Sequence, residues 1–238
     1  MPLAGPANMT KRRKPAKSKR KILAVDVGGT HVKCEASGQS ERREFESGPK
    51  LSAKRMVHEV KRLTSGWSYD VVSIGYPGLV MRNRVVAEPH NLGRGWAGFD
   101  FEKAFGCPVR ILNDAAMQAL GSYQGGRMLF LGLGTGLGTA MIVDGVIEPM
   151  ELAHLPYRKG KTFEDYVGVA GLKRLGKKKW RKHVIDVIER LIAALEPEYV
   201  VLGGGNADTL GKLPPLVRRG ENDNAFAGGY KLWSKQDR

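Results

Sequence analysis

Short apolar runs alternate with amphipathic stretches along most of the chain, and this pattern predicts an α/β protein. Runs rich in β-branched residues between turn residues are typical of strands, whereas apolar residues three or four positions apart are typical of one helix face. We predict strands at 22–27, 32–36, 42–45, 70–75, 109–112, 128–133, 140–143 and 199–202. We predict helices at 52–66, 101–105, 115–123, 164–175 and 180–196, and one more within 222–238. Residues 79–99 show little periodicity, which favours a long binding loop.

The first predicted strand runs directly into a glycine turn, Asp26-Val27-Gly28-Gly29-Thr30. Adjacent glycines let the backbone approach an anionic oxygen and point several N–H groups at it, while the Thr30 hydroxyl adds a donor. Asp26 can hold a hydrated metal ion beside a bound phosphate. A hairpin turn between two strands explains the same residues, because glycine turns are common.

A second glycine loop favours the phosphate interpretation. The strand at 128–133 leads into Gly132-Leu133-Gly134-Thr135-Gly136-Leu137-Gly138-Thr139, and another strand follows. The second half therefore opens as the first half does, which predicts a nucleotide- or phosphate-binding cleft between two domains. Asn113 and Asp114 follow the strand at 109–112, at the end where open α/β sheets bind ligands.

Net charge is the unusual bulk property of this 238-residue chain. It has 39 Lys and Arg against 24 Asp and Glu, and the resulting charge of +15 should attract a polyanion. Residues 1–20 hold part of the excess and are predicted to form a disordered basic tail. A second basic concentration lies between 173 and 182, where a solvated helix face is the simpler explanation.

Other classes of protein are disfavoured by what the chain lacks. No apolar run reaches the roughly 20 residues of a membrane-spanning helix, and the N-terminus has no apolar signal-peptide core. We therefore expect a cytoplasmic protein without a membrane partner. The two cysteines, Cys34 and Cys107, are too few and too isolated for a disulfide framework or a cysteine-rich zinc site.

Six short motifs follow one another between residue 21 and the end of the chain. They are Asp26-Val27-Gly28-Gly29-Thr30, Asn113-Asp114, Gly134-Thr135-Gly136, Glu151-Leu152-Ala153-His154, Glu164 and Gly203-Gly204-Gly205. The ordered set resembles the ROK sugar kinases of the actin-like ATPase and hexokinase superfamily, most closely their polyphosphate glucokinase branch. The resemblance implies two ribonuclease-H-like domains, at 21–112 and 113–222, with the active site in the cleft between them. A final helix at about 223–238 is implied to complete the first domain.

The resemblance also implies a role for each motif. Asp114 would be the catalytic base that accepts the proton of the sugar 6-hydroxyl, an assistance typically worth ~10²–10⁴-fold in rate. The implied sugar-binding residues are Asn91, Asn113, Asp114, Glu151, His154 and Glu164. The implied residues for the donor phosphates are Asp26, Gly28, Gly29, Thr30, Lys33, Gly134, Thr135, Gly136, Gly204 and Gly205. Mg²⁺ is the implied metal, held by Asp26 through water, and a homodimer is the expected assembly.

The chain departs from the family pattern in two places. Many members carry a cysteine-rich zinc motif after the Glu-x-x-His element, but residues 155–175 contain no cysteine, so no zinc site is predicted. The polyphosphate branch shares this absence. Ala153 replaces the glycine that usually precedes the histidine, a change that removes no polar group.

Three functional hypotheses follow, of which the first is a glucokinase that uses inorganic polyphosphate, with ATP as a further candidate donor. Its polyphosphate part depends on the +15 charge and on a basic track leading to the cleft. The track would consist of Lys173, Arg174, Lys177, Lys178 and Lys179, and an acidic or neutral cleft rim would count against it. The close alternative is a strictly ATP-dependent hexose kinase. A sugar-sensing, nucleic-acid-associated regulator is more distant, because the 20 residues before the first strand are too short for a helix-turn-helix domain.

Overall fold

A computed structural model describes residues 20–221 and 223–234 of the protein. The predicted disordered tail at 1–20 lies outside the described residues except for Arg20, whose guanidinium lies 5.5 Å from the centre of the Trp233 ring. Asn222 and residues 235–238, which belong to the predicted last helix, also lie outside them.

The first half of the chain forms one mixed sheet with helices packed against it. Its elements are β1 (Ile22–Val27), β2 (His31–Ala36), β3 (Arg43–Glu46), α1 (Ala53–Leu63), β4 (Val71–Tyr76), β5 (Val80–Met81), β6 (Arg84–Val85), α2 (Phe101–Phe105) and β7 (Val109–Asn113). The strand order is β3-β2-β1-β4-β7. The first three strands form an antiparallel meander, whereas β4 and β7 run parallel to β1. The carboxyl ends of β1, β4 and β7 therefore meet at one edge of the sheet.

The second half repeats this plan. Its elements are α3 (Asp114–Ser122), β8 (Arg127–Leu133), β9 (Leu137–Val143), β10 (Val146–Met150), β11 (Pro156–Arg158), β12 (Lys161–Thr162), α4 (Phe163–Val167), α5 (Val169–Leu195), β13 (Tyr199–Gly203), β14 (Val217–Arg219) and α6 (Asn224–Lys231). The sheet order is β10-β9-β8-β13-β14, again an antiparallel meander followed by two parallel strands. The loop between β8 and β9 is therefore the counterpart of the loop between β1 and β2.

The helices α3 and α6 join the two halves. An added Cβ at Gly228 of α6 would lie 1.8 Å from the carbonyl oxygen of Met117 in α3, and one at Gly229 would lie 2.9 Å from Ala24 Cβ in β1. Only glycine allows the two backbones to come this close. The ammonium group of Lys231 donates to the carbonyls of Leu120, Gly121 and Tyr123 at the end of α3. The packing of α6 on the first sheet agrees with the predicted division into domains at 21–112 and 113–222, which stays a prediction.

Most predicted elements are confirmed, and the differences concern short strand pairings and the helix predicted at 164–175, which the structure divides at Gly168 between α4 and α5. The hairpin of β5 and β6 lies inside the segment predicted to be irregular, and β10, β11, β12 and β14 were not predicted. These strands have two to five residues, and their pairing depends on neighbouring strands rather than on apolar runs. Within the described residues the last helix is shorter than predicted, ending at Lys231. The predicted break at Gly176 is confirmed as a kink with φ 72° and ψ 156° inside α5.

Among residues 20–221 and 223–234, no helix combines the length and the apolar character that a membrane span requires.

Candidate active site

A cleft of about 740 Å³ opens where the carboxyl ends of the first sheet face the glycine loop of the second. Its volume is in the range of small-molecule sites. The first half contributes Gly29, the turn at 77–79, the loop residues 87–92 and the β7–α3 junction. The second half contributes the β8–β9 loop, Glu151, His154, Glu164 and Gly204. The structure therefore brings parts of all six sequence motifs to one place.

Asp114 lies at the junction of β7 and α3, facing the cleft. The side chain of Asn113 caps the helix by accepting the N–H of Ala116 at 3.2 Å, and Asp114 Oδ1 accepts the N–H of Ala115 at 2.8 Å. The residue keeps some contact with solvent, but protein atoms surround the carboxylate on most sides. Burial is the main cause that raises the pKa of Asp114 to about 7, and the charge of Asp26 adds to the shift.

Asp26 lies on β1 beside the same end of the sheet. Its register partner on β4 is Gly75, where an added Cβ would lie 2.5 Å from Met117 Cε, so the glycine leaves room for the Met117 side chain beside the carboxylate. Burial raises the pKa of Asp26, and the positive charges of Lys33 and Arg42 oppose this shift. The charge of Asp26 in turn disfavours ionisation of Asp114, as expected for a nearby carboxylate.

The loop between β1 and β2 is only partly directed at the cleft. Gly29 lines the cleft, whereas the other predicted donor-binding residues of this region are not among the lining residues: Asp26, Gly28, Thr30 and Lys33. The N–H of Gly28 donates to the His31 carbonyl at 2.9 Å, so this donor is used within the turn. Ser47 stabilises the turn with two hydrogen bonds. Its hydroxyl donates to the Gly28 carbonyl at 2.7 Å, and its N–H donates to the Thr30 carbonyl at 2.8 Å.

The loop between β8 and β9 contributes Gly134, Thr135 and Gly136 to the lining. The N–H of Gly134 donates within the loop, to the carbonyls of Gly132 and Gly136. Glu164 Oε2 accepts the N–H of Leu137 at 3.1 Å, which ties a predicted sugar-binding carboxylate to this loop. Gly204 approaches closely from β13, because an added Cβ would lie 2.6 Å from the Leu133 carbonyl, whereas Gly205 is not among the lining residues.

The remaining predicted sugar-binding residues lie on the rim. Glu151 and His154 flank a short 3-10 turn, and their side chains are 64% and 71% exposed, with His154 Nε2 3.8 Å from Glu151 Oε2. Asn91 lines the cleft from the long loop. The Asn113 side chain is largely used by the fold, because Nδ2 donates to the Gly78 carbonyl at 3.2 Å in addition to the helix cap.

Sequence reasoning missed several lining residues, of which Glu88 has the clearest role. Its carboxylate accepts the N–H groups of Gly95, Trp96 and Ala97 at 3.2–3.3 Å and thereby closes the loop that carries Asn91. The only sequence signal was an acidic residue within the segment already predicted as a binding loop. The other missed lining residues with side-chain donors or acceptors are His90, Gln118 and Thr139.

The predicted basic track lies outside the cleft lining. Lys173, Lys177, Lys178 and Lys179 are exposed on α5, and Arg174 donates to the Asp165 carbonyl at 2.6 Å while stacking over the Tyr166 ring. The residues that line the cleft include four carboxylates but no lysine or arginine. The carboxylates are Glu88, Asp114, Glu151 and Glu164. The lining is therefore acidic, which is the result that we expected to count against a polyphosphate track.

The donor set fits Mg²⁺ better than a metal bound by protein ligands alone. In the part of the chain that the structure describes, no three His, Cys, Asp or Glu side chains form a group of metal ligands. Mg²⁺ typically takes one or two carboxylates and completes its coordination with water and phosphate oxygens. Asp26 and Asp114 supply two carboxylates at one edge of the sheet, as such a site requires.

Two halves of equal strand order, each with a glycine loop at a shared cleft, define a duplicated α/β fold. The ROK family model matches residues 22–148, just over half of the chain. The chain therefore belongs to the ROK family, as the motifs predicted. It is 27% identical over 225 residues to a polyphosphate glucokinase of Mycobacterium tuberculosis strain H37Ra, covering 85% of this chain and 84% of the relative.

Solved structures agree on the fold. An inorganic polyphosphate/ATP-glucomannokinase from Arthrobacter sp. strain KM superposes with a TM-score of 0.77 at 22% identity, covering 90% of this chain and 98% of that one. A ROK family glucokinase from Streptomyces griseus, in complex with glucose and AMPPNP, has a TM-score of 0.68 at 18% identity, covering 89% and 98%. The predicted fold class, with two actin-like ATPase domains, is confirmed.

Proposed function

We propose that the protein is a glucokinase that transfers a phosphoryl group to the 6-hydroxyl of glucose. The observation that carries the proposal is Asp114, a carboxylate at the carboxyl end of β7 that faces the glycine loop of the other half across the cleft. The named activities of the ROK relatives support the assignment of the acceptor.

In this mechanism Asp114 accepts the proton of the 6-hydroxyl while the sugar oxygen attacks the terminal phosphate. A pKa of about 7 suits this role, because a general base is most effective when its pKa is near the working pH. Glu151, His154 and Glu164 would accept hydrogen bonds from, and donate them to, the other sugar hydroxyls. The two glycine loops would hold the donor from either side, so that catalysis rests mainly on positioning and electrostatics.

Asp26 is the residue that would hold Mg²⁺, through water, which leaves Asp114 as the base. The ion would neutralise charge on the phosphates. This chain's own contribution is to place both carboxylates at one sheet edge and to keep the Asp114 side chain partly shielded from water.

For the phosphoryl donor we propose inorganic polyphosphate, with ATP as a second substrate. The support is the overall charge of +15 and the similarity to proteins named for polyphosphate use. The exposed lysines of α5 would then contact the part of a long polyphosphate that extends beyond the cleft. A second candidate is strictly ATP-dependent phosphorylation, and the acidic lining without lysine or arginine favours it. Homodimer formation stays a prediction.

The test is the initial rate of glucose phosphorylation with Mg²⁺ and either long-chain polyphosphate or ATP as the only donor. Asp114→Asn should lower kcat by ~10²–10⁴-fold with every donor that supports turnover. Asp144→Asn is the matched control, because Asp144 lies in the β9–β10 turn outside the cleft lining and should leave the rate unchanged.

Each outcome separates the candidates. Turnover with polyphosphate supports the proposed donor, and a further loss on changing Lys177 and Lys178 to alanine, with ATP turnover unaffected, would support the α5 surface. Turnover with ATP alone selects the second candidate. If no hexose is phosphorylated with either donor, the proposed function is wrong.

A further inference from the structure

The segment 151–164, here called the sugar-contact segment, carries three of the proposed sugar-binding residues at its two ends. Glu151 and His154 stand at its start and Glu164 at its end, and the hairpin of β11 and β12 lies between them. Phe163 donates its N–H to the Leu155 carbonyl at 3.0 Å, which closes the hairpin at its base. The positions of the two ends are therefore coupled through this hairpin.

The rim residues depend on their backbone for their position. The side chains of Glu151 and His154 are mostly exposed, and the contact between them is a long 3.8 Å. Hydrogen bonds to the backbone N–H groups hold the turn that carries them, including the one that Leu152 N–H donates to the side-chain oxygen Thr139 Oγ1 at 3.2 Å. An anchor for the hairpin that follows would consequently set the geometry of the rim.

Tyr157, at the centre of β11, supplies such an anchor. Its hydroxyl donates to Asp186 Oδ2 at 2.5 Å and lies 2.9 Å from His183 Nδ1, and both partners belong to α5. Arg190 and Arg158 also bond the same Asp186 oxygen, at 3.1 and 3.4 Å. Charge-assisted hydrogen bonds of this kind are the stronger ones in proteins.

The ring of Tyr157 makes contacts of its own, one of them with His183 at a centroid distance of 5.7 Å. It meets Phe163 and Tyr166 edge-on, with centroid distances of 5.5 and 5.0 Å. Both belong to α4, which also carries Glu164. Burial and the Asp186 carboxylate raise the pKa of Tyr157 to about 12, so the hydroxyl keeps the proton that it donates. Removing the hydroxyl alone would thus remove the hydrogen bonds to α5 while leaving the ring contacts, including the one with His183, in place.

We infer that Tyr157 is a positioning residue for sugar recognition, acting through its hydrogen bonds to Asp186 and His183. The inference rests on the proposed function, since it assigns the sugar-contact segment to the acceptor. The anchor holds the rim residues and Glu164 in one geometry before the sugar arrives, which reduces the ordering cost of binding. The β1–β2 donor loop is held by other contacts, such as that of Ser47 with Gly28. The β8–β9 loop meets the segment at Glu164, which accepts the N–H of Leu137.

The experiment compares Tyr157→Phe and Asp186→Asn with Tyr199→Phe. Tyr199 is a matched control because its hydroxyl also makes two hydrogen bonds, with Gly125 and Gln124, but at the start of β13, the opposite end of the strand from the cleft-lining Gly204. We expect the first two variants to raise the KM for glucose about 5- to 20-fold, as for loss of a charge-assisted hydrogen bond. The KM for the donor should change less than about twofold, and Tyr199→Phe should change neither.

Hydrogen exchange in the absence of substrates provides the second readout. Amides of residues 151–164 should exchange faster in Tyr157→Phe than in the wild type, and Tyr199→Phe should not change them. Unchanged exchange would overturn the inference whatever the activity, and so would equal increases of both KM values. A wild type that phosphorylates no hexose would instead overturn the proposed function, and the exchange data would still show whether Tyr157 anchors the segment.

Discussion

The floor and the rim of the cleft hold their polar residues in opposite ways. The floor comprises Asp114, which lines the cleft, and Asp26 of β1, which is not among the lining residues but shifts the pKa of Asp114; burial raises the pKa of both. The rim consists of Glu151 and His154, whose side chains are mostly in solvent. Regular secondary structure positions the floor, whereas short turns and a hairpin position the rim.

This difference separates stability from activity. A buried carboxylate is costly to ionise, so the position that gives Asp114 a pKa near neutral also lowers the free energy of unfolding when the side chain is charged. An exposed side chain costs little, so the rim can be changed without unfolding the protein. Substitutions on the floor should therefore alter both properties, and substitutions on the rim should alter activity alone.

The largest expected contrast is that Asp114→Asn, while inactivating, stabilises the protein at alkaline pH. The unfolded state releases the Asp114 proton near the ordinary pKa of about 4, but the folded state keeps it up to about 7, so wild-type stability falls as pH rises between these values. At pH 8 the variant should be more stable by up to about 4 kcal/mol, and below pH 4 the difference should vanish. Urea unfolding across this range measures it.

Asp144→Asn controls for a general effect of lost charge and should show no such pH-dependent gain. A less stable Asp114→Asn at pH 8 would contradict the raised pKa.

The pH dependence of the wild-type rate should report the protonation of Asp114 as well. Because protonated Asp114 cannot accept the hydroxyl proton, kcat/KM for glucose should fall about tenfold per pH unit below a midpoint near 7. A profile from pH 5 to 9 measures the midpoint. The fall of kcat/KM at low pH should persist in His154→Gln, because Asp114 causes it. Its loss in this variant would contradict the assignment to Asp114.

A smaller effect is expected where the second glycine loop meets Glu164. A Cβ at Gly136 would lie 2.1 Å from Glu164 Oε2, so Gly136→Ala must displace the carboxylate that accepts the N–H of Leu137. We expect a loss of about 1–3 kcal/mol in the free energy of unfolding. Gly134→Ala is the matched comparison, since an added Cβ there meets nothing within 4 Å, and its stability should change by less than about 0.5 kcal/mol. Equal losses in both variants would contradict the role of Glu164.

The smallest effect on stability is expected on the rim. His154→Ala should leave the unfolding free energy within about 0.5 kcal/mol of the wild type, because the side chain is 71% exposed. It should lower kcat/KM for glucose about tenfold, as for one lost hydrogen bond to the sugar. Unfolding and rate measurements on the same variant test both expectations. A variant that loses stability without losing activity would contradict the proposed difference between floor and rim.

The apolar pattern of the chain predicted the strands that form the centre of both sheets. Runs such as 22–27 and 199–202 are buried in the structure, so their composition carried the signal. The strands β11, β12 and β14 escaped prediction because they are short and partly exposed. Pairing at an edge depends on which strand lies alongside, and a short stretch of sequence does not indicate that neighbour.

The motifs of the site could likewise be recognised in the sequence, because each is a local turn or junction with a fixed residue order. By itself the sequence determined the family, the two glycine loops and the identity of Asp114 as the candidate base. Only the tertiary structure decided that Asp26 lies close enough to Asp114 to shift its pKa, that Glu88 closes the Asn91 loop, and that the basic residues of α5 lie outside the cleft lining. These features are distances and burial between groups far apart in the chain, and such quantities exist only once the two halves have packed together.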